Sequence, residues 1–292
     1  MDISVIVPFY NAGNFFAACL DALVHQTFPH TRYEILLVDN NSRDHSRALV
    51  EAVQRESVAS TPDLALRVLE ERTQGAYAAR NCAIRHARGR ILAFTDPDCV
   101  VSSDWLEQIY GALQDSRIGI VMGYRHYANA SRLMRLLAAY EAEKARWVMS
   151  GSEKLLYYGF TNNMAVQRWV LDKLGLFPER PRGGDTIFVR QAVDVFGTRV
   201  IAFCPGMQVR HLEVASVRDY YRKRSTYGKS NETLSHQIPF RPLRWRERWL
   251  VFQRVVAQHK LSPFSGLVLL ALLIPGALLY ELGRERGKSS KE

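Results

Sequence analysis

Five short apolar runs rich in β-branched residues alternate with helical patterns through the first 125 residues, and this alternation narrows the fold of the 292-residue chain more than any other feature. The runs read as strands at Ile3–Val7, Glu34–Val38, Leu66–Glu70, Arg90–Phe94 and Ile118–Met122. Helices fit between them at about Asn14–His25, Ser42–Glu56, Ala76–Ala87 and Asp104–Leu113. Strand, helix, strand in repetition calls for right-handed crossovers, and those give parallel neighbours. The expectation is an α/β fold, a Rossmann-like and mostly parallel central sheet flanked by helices. Such sheets bind ligands beyond the carboxyl ends of their strands, so the residues just past each strand are the ones to inspect.

Those residues are polar in a patterned way. The first strand runs into Pro8-Phe9-Tyr10-Asn11, the second into Asp39-Asn40-Asn41-Ser42, and the fourth into Thr95-Asp96-Pro97-Asp98-Cys99. Alternation along an extended chain points Asp96 and Asp98 the same way. Two hard oxygen ligands at a strand end suit a divalent cation that keeps positions open for a phosphate-bearing substrate. After the third strand, Gln74-Gly75 opens a helix in which Ala79, Ala83 and Ala87 recur every fourth residue for close packing on the sheet. Arg80 falls in the first turns of that helix, where backbone N–H groups and a guanidinium hold anions. Farther on, Gly183-Gly184-Asp185 delivers a carboxylate onto the start of a helix, and Thr161-Asn162-Asn163 forms a second polar cluster, read as turn residues or as substrate contacts. Asp39 and Asp185 also suit the plain role of helix caps. A helix is predicted over Ser131–Met149, with Arg132, Arg135, Glu141, Glu143, Lys144 and Arg146 on its exposed face.

The charge of +10 is not evenly spread. From Arg210 onward there are 16 Lys+Arg against 7 Asp+Glu, which leaves 23 against 22 in the first 209 residues. Residues 241–256 interleave arginines with Trp245, Trp249 and Phe252, the composition of an interfacial helix. From Leu261 to Tyr280, 20 residues carry no charge, and as a helix they are about 30 Å long, roughly one hydrocarbon thickness. Pro263, Pro275 and Gly276 interrupt the run, and Lys/Arg flank both ends, so the expectation is membrane contact, by spanning or by embedding. Residues 1–210 are therefore read as the catalytic domain, 211–260 as a basic amphipathic helical extension, and 261–280 as a hydrophobic, membrane-associated helix. Cys19, Cys82, Cys99 and Cys204 are scattered, which argues for a reducing compartment and against a disulfide framework or zinc site. The N-terminus opens directly on the Ile3–Val7 strand pattern without a basic-then-apolar stretch, so no secretory signal peptide is expected.

In order and spacing, V-I-V-P-F-Y-N, L-L-V-D-N-N-S-R-D, G-A-Y-A-A-R-N, I-L-A-F-T-D-P-D-C, N-N-M-A-V and G-G-D-T-I-F resemble the family 2 glycosyltransferases, over Ile3 to about Arg190. The resemblance implies a GT-A fold and an inverting transferase that uses nucleotide sugars. It implies that Pro8, Tyr10 and Asp39 line the nucleotide pocket, with Asp39 accepting hydrogen bonds from the base. Arg80 would approach the diphosphate, Asp96 the ribose or sugar, and Asp98 a Mn²⁺ or Mg²⁺ ion. Asp185 falls where the family has its catalytic base, often within a Glu-Asp pair; Gly184 replaces the acidic neighbour. His211 would be a further metal ligand or phosphate contact. The Gln-x-x-Arg-Trp pattern of processive synthases is absent, and Arg222-Lys223-Arg224 with Tyr227-Gly228-Lys229 lies in its place, so transfer of a single sugar is expected.

The implied donor is a nucleotide-diphosphate sugar, UDP first with GDP or dTDP open, and the acceptor a lipid-linked or cell-envelope glycan precursor. Nucleotide sugars and reduced cysteines together point to the cytoplasmic face of the cell membrane, where a basic tail favours anionic lipids. Two other classes were weighed. A sugar-nucleotide nucleotidyltransferase should carry a Gly-rich phosphate loop after the first strand, where this chain has Pro8-Phe9-Tyr10-Asn11-Ala12-Gly13. A nucleic-acid-binding protein would account for the basic, Trp-bearing tail but not for strand-end carboxylates, which repel phosphate; no nucleic-acid partner is expected.

Overall fold

A computed structural model of the protein describes residues 1–128 and 131–289. The chain divides into two units, one formed by Met1–Tyr124 and Tyr158–Arg210, the other by Arg125–Tyr157 and His211–Glu292.

The first unit opens with β1 (Ile3–Phe9), α1 (Phe16–Val24), β2 (Tyr33–Asp39), α2 (Ser46–Ser60), β3 (Ala65–Glu70), α3 (Ala76–His86) and β4 (Ile91–Thr95). Each of the first four predicted strands is present, one or two residues longer or shifted by one. β1, β2 and β4 are buried along their whole length, as strands covered on both faces must be, and their sequences are accordingly near-continuous apolar runs. β1 pairs in parallel with β2 and with β4, and β2 in parallel with β3. The chain thus builds outward from β1 to β3 and then returns to β1's other side with β4, which makes the gap between β1 and β4 the switch point of the sheet. The small residues of α3 do pack on the sheet: Ala79 and Ala83 are fully buried.

Next come β5 (Cys99–Val101), α4 (Trp105–Ala112) and β6 (Ile120–Tyr127), with α5 (Arg132–Met149) following at the crossing into the second unit. Back in the first unit are β7 (Asn163–Gln167), α6 (Arg168–Leu174), α7 (Gly184–Phe196) and β8 (Ile201–His211). The eight strands form one sheet in the order β3-β2-β1-β4-β7-β6-β8-β5, so the expected sheet is found, with β7 entering antiparallel between β4 and β6. The core under the sheet joins Val5, Val7, Phe16, Leu20, Ile35, Trp105 and Ile109 in one cluster.

The second unit is helical, and α5 is followed in it by α8 (Val217–Ser235), α9 (Trp245–Gln258) and α10 (Pro263–Ser289). One expectation fails here. The sequence pattern puts Glu141, Glu143 and Lys144 on an exposed face of α5, yet Glu141 and Glu143 are buried and only 13% of the Lys144 side chain is exposed. The reason is a partner that lies about eighty residues away in sequence. Arg224 of α8 pairs with Glu141 at 3.3 Å, Tyr220 donates to it at 2.8 Å, and Lys144 closes the group from one turn along α5. A charged stripe on one helix reads as solvated until the helix that covers it is known.

Candidate functional site

At the switch point, Pro8 has no N–H to offer, and the ladder between β1 and β4 accordingly covers only Ile3 to Ile6 while that between β1 and β2 continues to Phe9 and Asp39. The sheet opens there. Pro8 is buried at the opening and Tyr10, just past it, is half exposed. Asp39 ends β2, 3% exposed, and its Oδ1 accepts from the Ser42 N–H at 2.9 Å while Oδ2 stands 3.7 Å from Arg47. α2 begins at Ser46, so Asp39 holds the turn before the helix and is not its cap.

The loops after β1, β2 and β3 are laced together. Asn11, with a left-handed backbone at φ 46°, accepts from the Arg43 N–H at 2.8 Å, and the Ala12 N–H donates to Ser46 Oγ at 2.8 Å. Asn40 does most of the stitching. Its Nδ2 donates to the Glu71 and Thr73 carbonyls, both at 2.8 Å, and its Oδ1 accepts from the Gly75 N–H at 2.7 Å. Asn40 therefore fixes the start of α3, and hence Arg80, from the end of the neighbouring strand. It was noticed in the sequence only as part of a polar strand end; nothing in its neighbours announces this role.

Arg80 is 4% exposed, far from a solvated helix residue. Its guanidinium pairs with Asp96 and lies over the Tyr77 ring at 5.4 Å, and its Nε has no hydrogen-bond partner among the described residues. The Thr95–Cys99 turn, between β4 and β5, holds Asp96 and Asp98, both partly exposed. The two carboxylates raise the thiols of the buried Cys19 and Cys99 beyond what burial does to them. The turn therefore brings two carboxylates together as hard oxygen donors. That donor chemistry fits Mn²⁺ or Mg²⁺ better than zinc. His211, the other expected ligand, closes β8 at the start of the second unit's last stretch; it is buried, with Lys223 Nζ 3.3 Å from its Nε2.

Asp185 sits in the first turn of α7, whose N-cap Gly183 adopts φ 80°, a backbone that glycine takes without strain. Gly159 crosses directly above: a Cβ there would meet the Asp185 carbonyl oxygen at 2.5 Å. The carboxylate accepts from the Thr161 N–H at 3.4 Å and the Thr186 N–H at 2.8 Å, and the Tyr77 hydroxyl bonds to it. Burial pushes the Asp185 carboxyl above its ordinary value, and these bonds, with the positive charge of Arg80, only partly offset the shift. Tyr77 and Gly159 were not singled out as site residues in the sequence. Asn163 is consumed by structure: fully buried, it accepts from Trp105 Nε1 at 2.9 Å and donates to the Tyr124 and Met207 carbonyls, each at 2.9 Å.

The sequence profile described as Glycosyl transferase family 2 matches residues 4–169. Glycosyltransferase AglE of Haloferax volcanii is 31% identical over 195 residues, 66% of this chain and 61% of the relative. The UDP-Glc:alpha-D-GlcNAc-diphosphoundecaprenol beta-1,3-glucosyltransferase WfgD of Escherichia coli is 28% identical over 45% of this chain and 49% of its own length. This chain thus spans about half to three fifths of the length of these two relatives. Among solved structures, a mannosyltransferase of Pyrobaculum calidifontis in complex with GDP-Man and Mn²⁺ superposes with a TM-score of 0.63 over 98% of this chain and 83% of that one. At 22% identity this is a likeness of fold, the GT-A type.

Proposed function

Since the chain belongs to glycosyl transferase family 2, we propose that it moves one sugar from a nucleotide-diphosphate sugar to an acceptor hydroxyl and inverts the anomeric centre. The observation that carries this reading is Asp185, a carboxylate raised by burial, bonded by Tyr77 and Thr161, in the same unit as the strand-end acids. A raised carboxylate is the better base near neutral pH. As the acceptor oxygen attacks the anomeric carbon, Asp185 takes its proton. The bond from that carbon to the donor oxygen breaks on the opposite face, and its electrons leave with the nucleoside diphosphate.

Tyr10 and Pro8 would flank the base, and Asp39 would accept from it. Arg80, oriented by Asp96 and Tyr77, would face the diphosphate with preorganised charge, while Asp96 would also reach the ribose or sugar. Asp98, with His211 as a further ligand, would hold Mn²⁺ or Mg²⁺, whose charge when bound stabilises the departing diphosphate. The GDP-Man of the archaeal structure and the UDP-Glc named for the E. coli relative support a nucleotide-sugar donor, with UDP the first to try. The diphospho-lipid acceptor named for that relative supports a lipid-linked or envelope glycan precursor. α10 is long and apolar enough by length and composition to reach into a membrane, and this supports membrane attachment; a cytoplasmic supply of nucleotide sugar would put the chain at the cytoplasmic face. The test is a screen of UDP-, GDP- and dTDP-sugars with Mn²⁺, reading the anomeric configuration of the product by NMR. An inverted anomer is expected; a retained one would overturn the mechanism.

A further inference from the structure

The second unit decides how α10 meets a membrane. Glycines bring α8 and α10 into backbone contact: Gly228 of α8 faces the Tyr280 carbonyl, and Gly283 of α10 faces that of Ser225, with no room for a Cβ at either. Polar bonds run along the same seam. Tyr221 donates to the Leu272 carbonyl at 3.0 Å, Asn231 to the Tyr280 hydroxyl at 2.8 Å, and Arg284 to Glu232 at 2.9 Å. The C-terminal half of the apolar run is therefore sheathed on one side by the part of α8 that carries Arg222, Lys223 and Arg224. Drawing α10 across the hydrocarbon would take these charges with it, and charged side chains within the hydrocarbon are costly.

The other side of α10 is bare. Phe264, Leu267, Ile274, Leu278 and Leu282 are exposed, recurring with helical period along one face about 27 Å long. Trp245, Trp249 and Leu250 of α9 are exposed as well. The two sets meet at a cleft whose rim includes Trp245, Trp249 and Ile274; its two arginines, Arg224 and Arg248, are already paired with Glu141 at 3.3 Å and Glu281 at 3.2 Å.

We propose that α10 does not cross the bilayer: the second unit lies in the plane of an anionic membrane surface, inserting the apolar stripe of α10 and the α9 indoles and seating lipid phosphate headgroups against the exposed Arg244 and Arg246. Charge selects this occupant. Residues 241–260 carry five Arg and one Lys against one Glu, and Arg244, Arg246 and Arg254 are exposed. A two-fold pairing with a second copy would set that basic face on itself, whereas anionic lipid neutralises it. The inference rests on the reading of the protein as membrane-attached.

The test uses the full chain with Cys204→Ser and a single new cysteine, Ser262→Cys or Lys288→Cys, in sealed membrane vesicles of known sidedness, treated with an impermeant maleimide. Both positions react from the same side if α10 lies in the plane; reaction from opposite sides overturns the inference and leaves the membrane reading standing. Flotation of the purified chain with phosphatidylcholine vesicles, with and without phosphatidylglycerol, completes it. Partitioning should rise with the anionic lipid, resist inorganic phosphate and UDP as competitors, and fall about tenfold or more in Trp245→Ala/Trp249→Ala. Equal partitioning into both vesicle types, or displacement by free phosphate or UDP, overturns the headgroup seat. A chain that floats with neither and sediments as a dimer overturns the membrane reading itself.

Discussion

Glu141 in the second unit and Asp185 in the first are both carboxylates drawn away from water, and their surroundings treat them in opposite ways. Burial acts to raise each one. Around Glu141 it is outweighed by Lys144 and Arg224, with bonds from Lys144 and Tyr220, so the carboxyl is held far below its ordinary value of 4.5, while burial pushes Lys144 down to about 8. Around Asp185 the bonds come from a tyrosine hydroxyl and backbone N–H groups, and Arg80, whose charge acts on it, is already paired with Asp96. Its carboxyl stays raised. The difference separates a carboxylate that holds helices together from one left raised at a cost to stability, the division that the proposed catalytic base would require.

Glu141, lowered on folding, contributes stability that is present above its unfolded value near 4.5 and is lost as pH falls through the folded value. Asp185, raised on folding, favours the folded state below its unfolded value near 3.8, and that contribution is lost as pH rises through the folded value.

The sharpest contrast is between substitutions at these two positions. Asp185→Asn should cost about 10²- to 10⁴-fold in turnover, leave donor affinity within about twofold, and leave the chain no less stable at neutral pH. Loss of donor binding in calorimetry would remove Asp185 from the role of base. Glu141→Gln should instead destabilise by about 3–5 kcal/mol in denaturant unfolding, because Lys144 and Arg224 remain buried without their anion. Its stability should also vary less than the wild type's below pH 4.5, and a neutral substitution would make the ion group ornamental. Gly159→Ala is the intermediate case. Its methyl meets the Asp185 backbone, so about 1–3 kcal/mol of stability and a share of turnover should go together, and full activity would mean that the crossing at Gly159 does not position the base. The smallest effect is expected from Tyr77→Phe, which removes one donor from the carboxylate. The acidic limb of the pH–rate profile should move to higher pH with little change in fold stability; a limb that stays put would separate the hydroxyl from the base.

What the sequence allowed to be read was what depends on neighbours along the chain. The βα alternation and the strand-end acids needed only periodicity and position. β7 and β8 escaped because β7 is a short antiparallel insert and β8 carries Pro205-Gly206 within its eleven residues, so neither shows a clean strand pattern. The misplaced face of α5 has the same origin: Glu141 and Lys144 are one turn apart and read as a solvated pair, and only α8 makes them a core. Asn40, Tyr77 and Gly159 act across loops joined in space, which residue type alone does not announce. At Asp39 the turn bond and the proposed nucleotide contact fall on the same carboxylate, so local pattern leaves both readings open.

The most direct test of the account is calorimetry of UDP, GDP and dTDP with the full chain, in Mn²⁺ and in chelator, for the wild type and Asp98→Ala. The account predicts that one nucleotide binds with Mn²⁺, weakly or not at all in chelator, and that Asp98→Ala binds with Mn²⁺ no better than the wild type does in chelator. Absence of binding by any nucleotide in either condition, or equal metal-dependent binding by the variant, would contradict it.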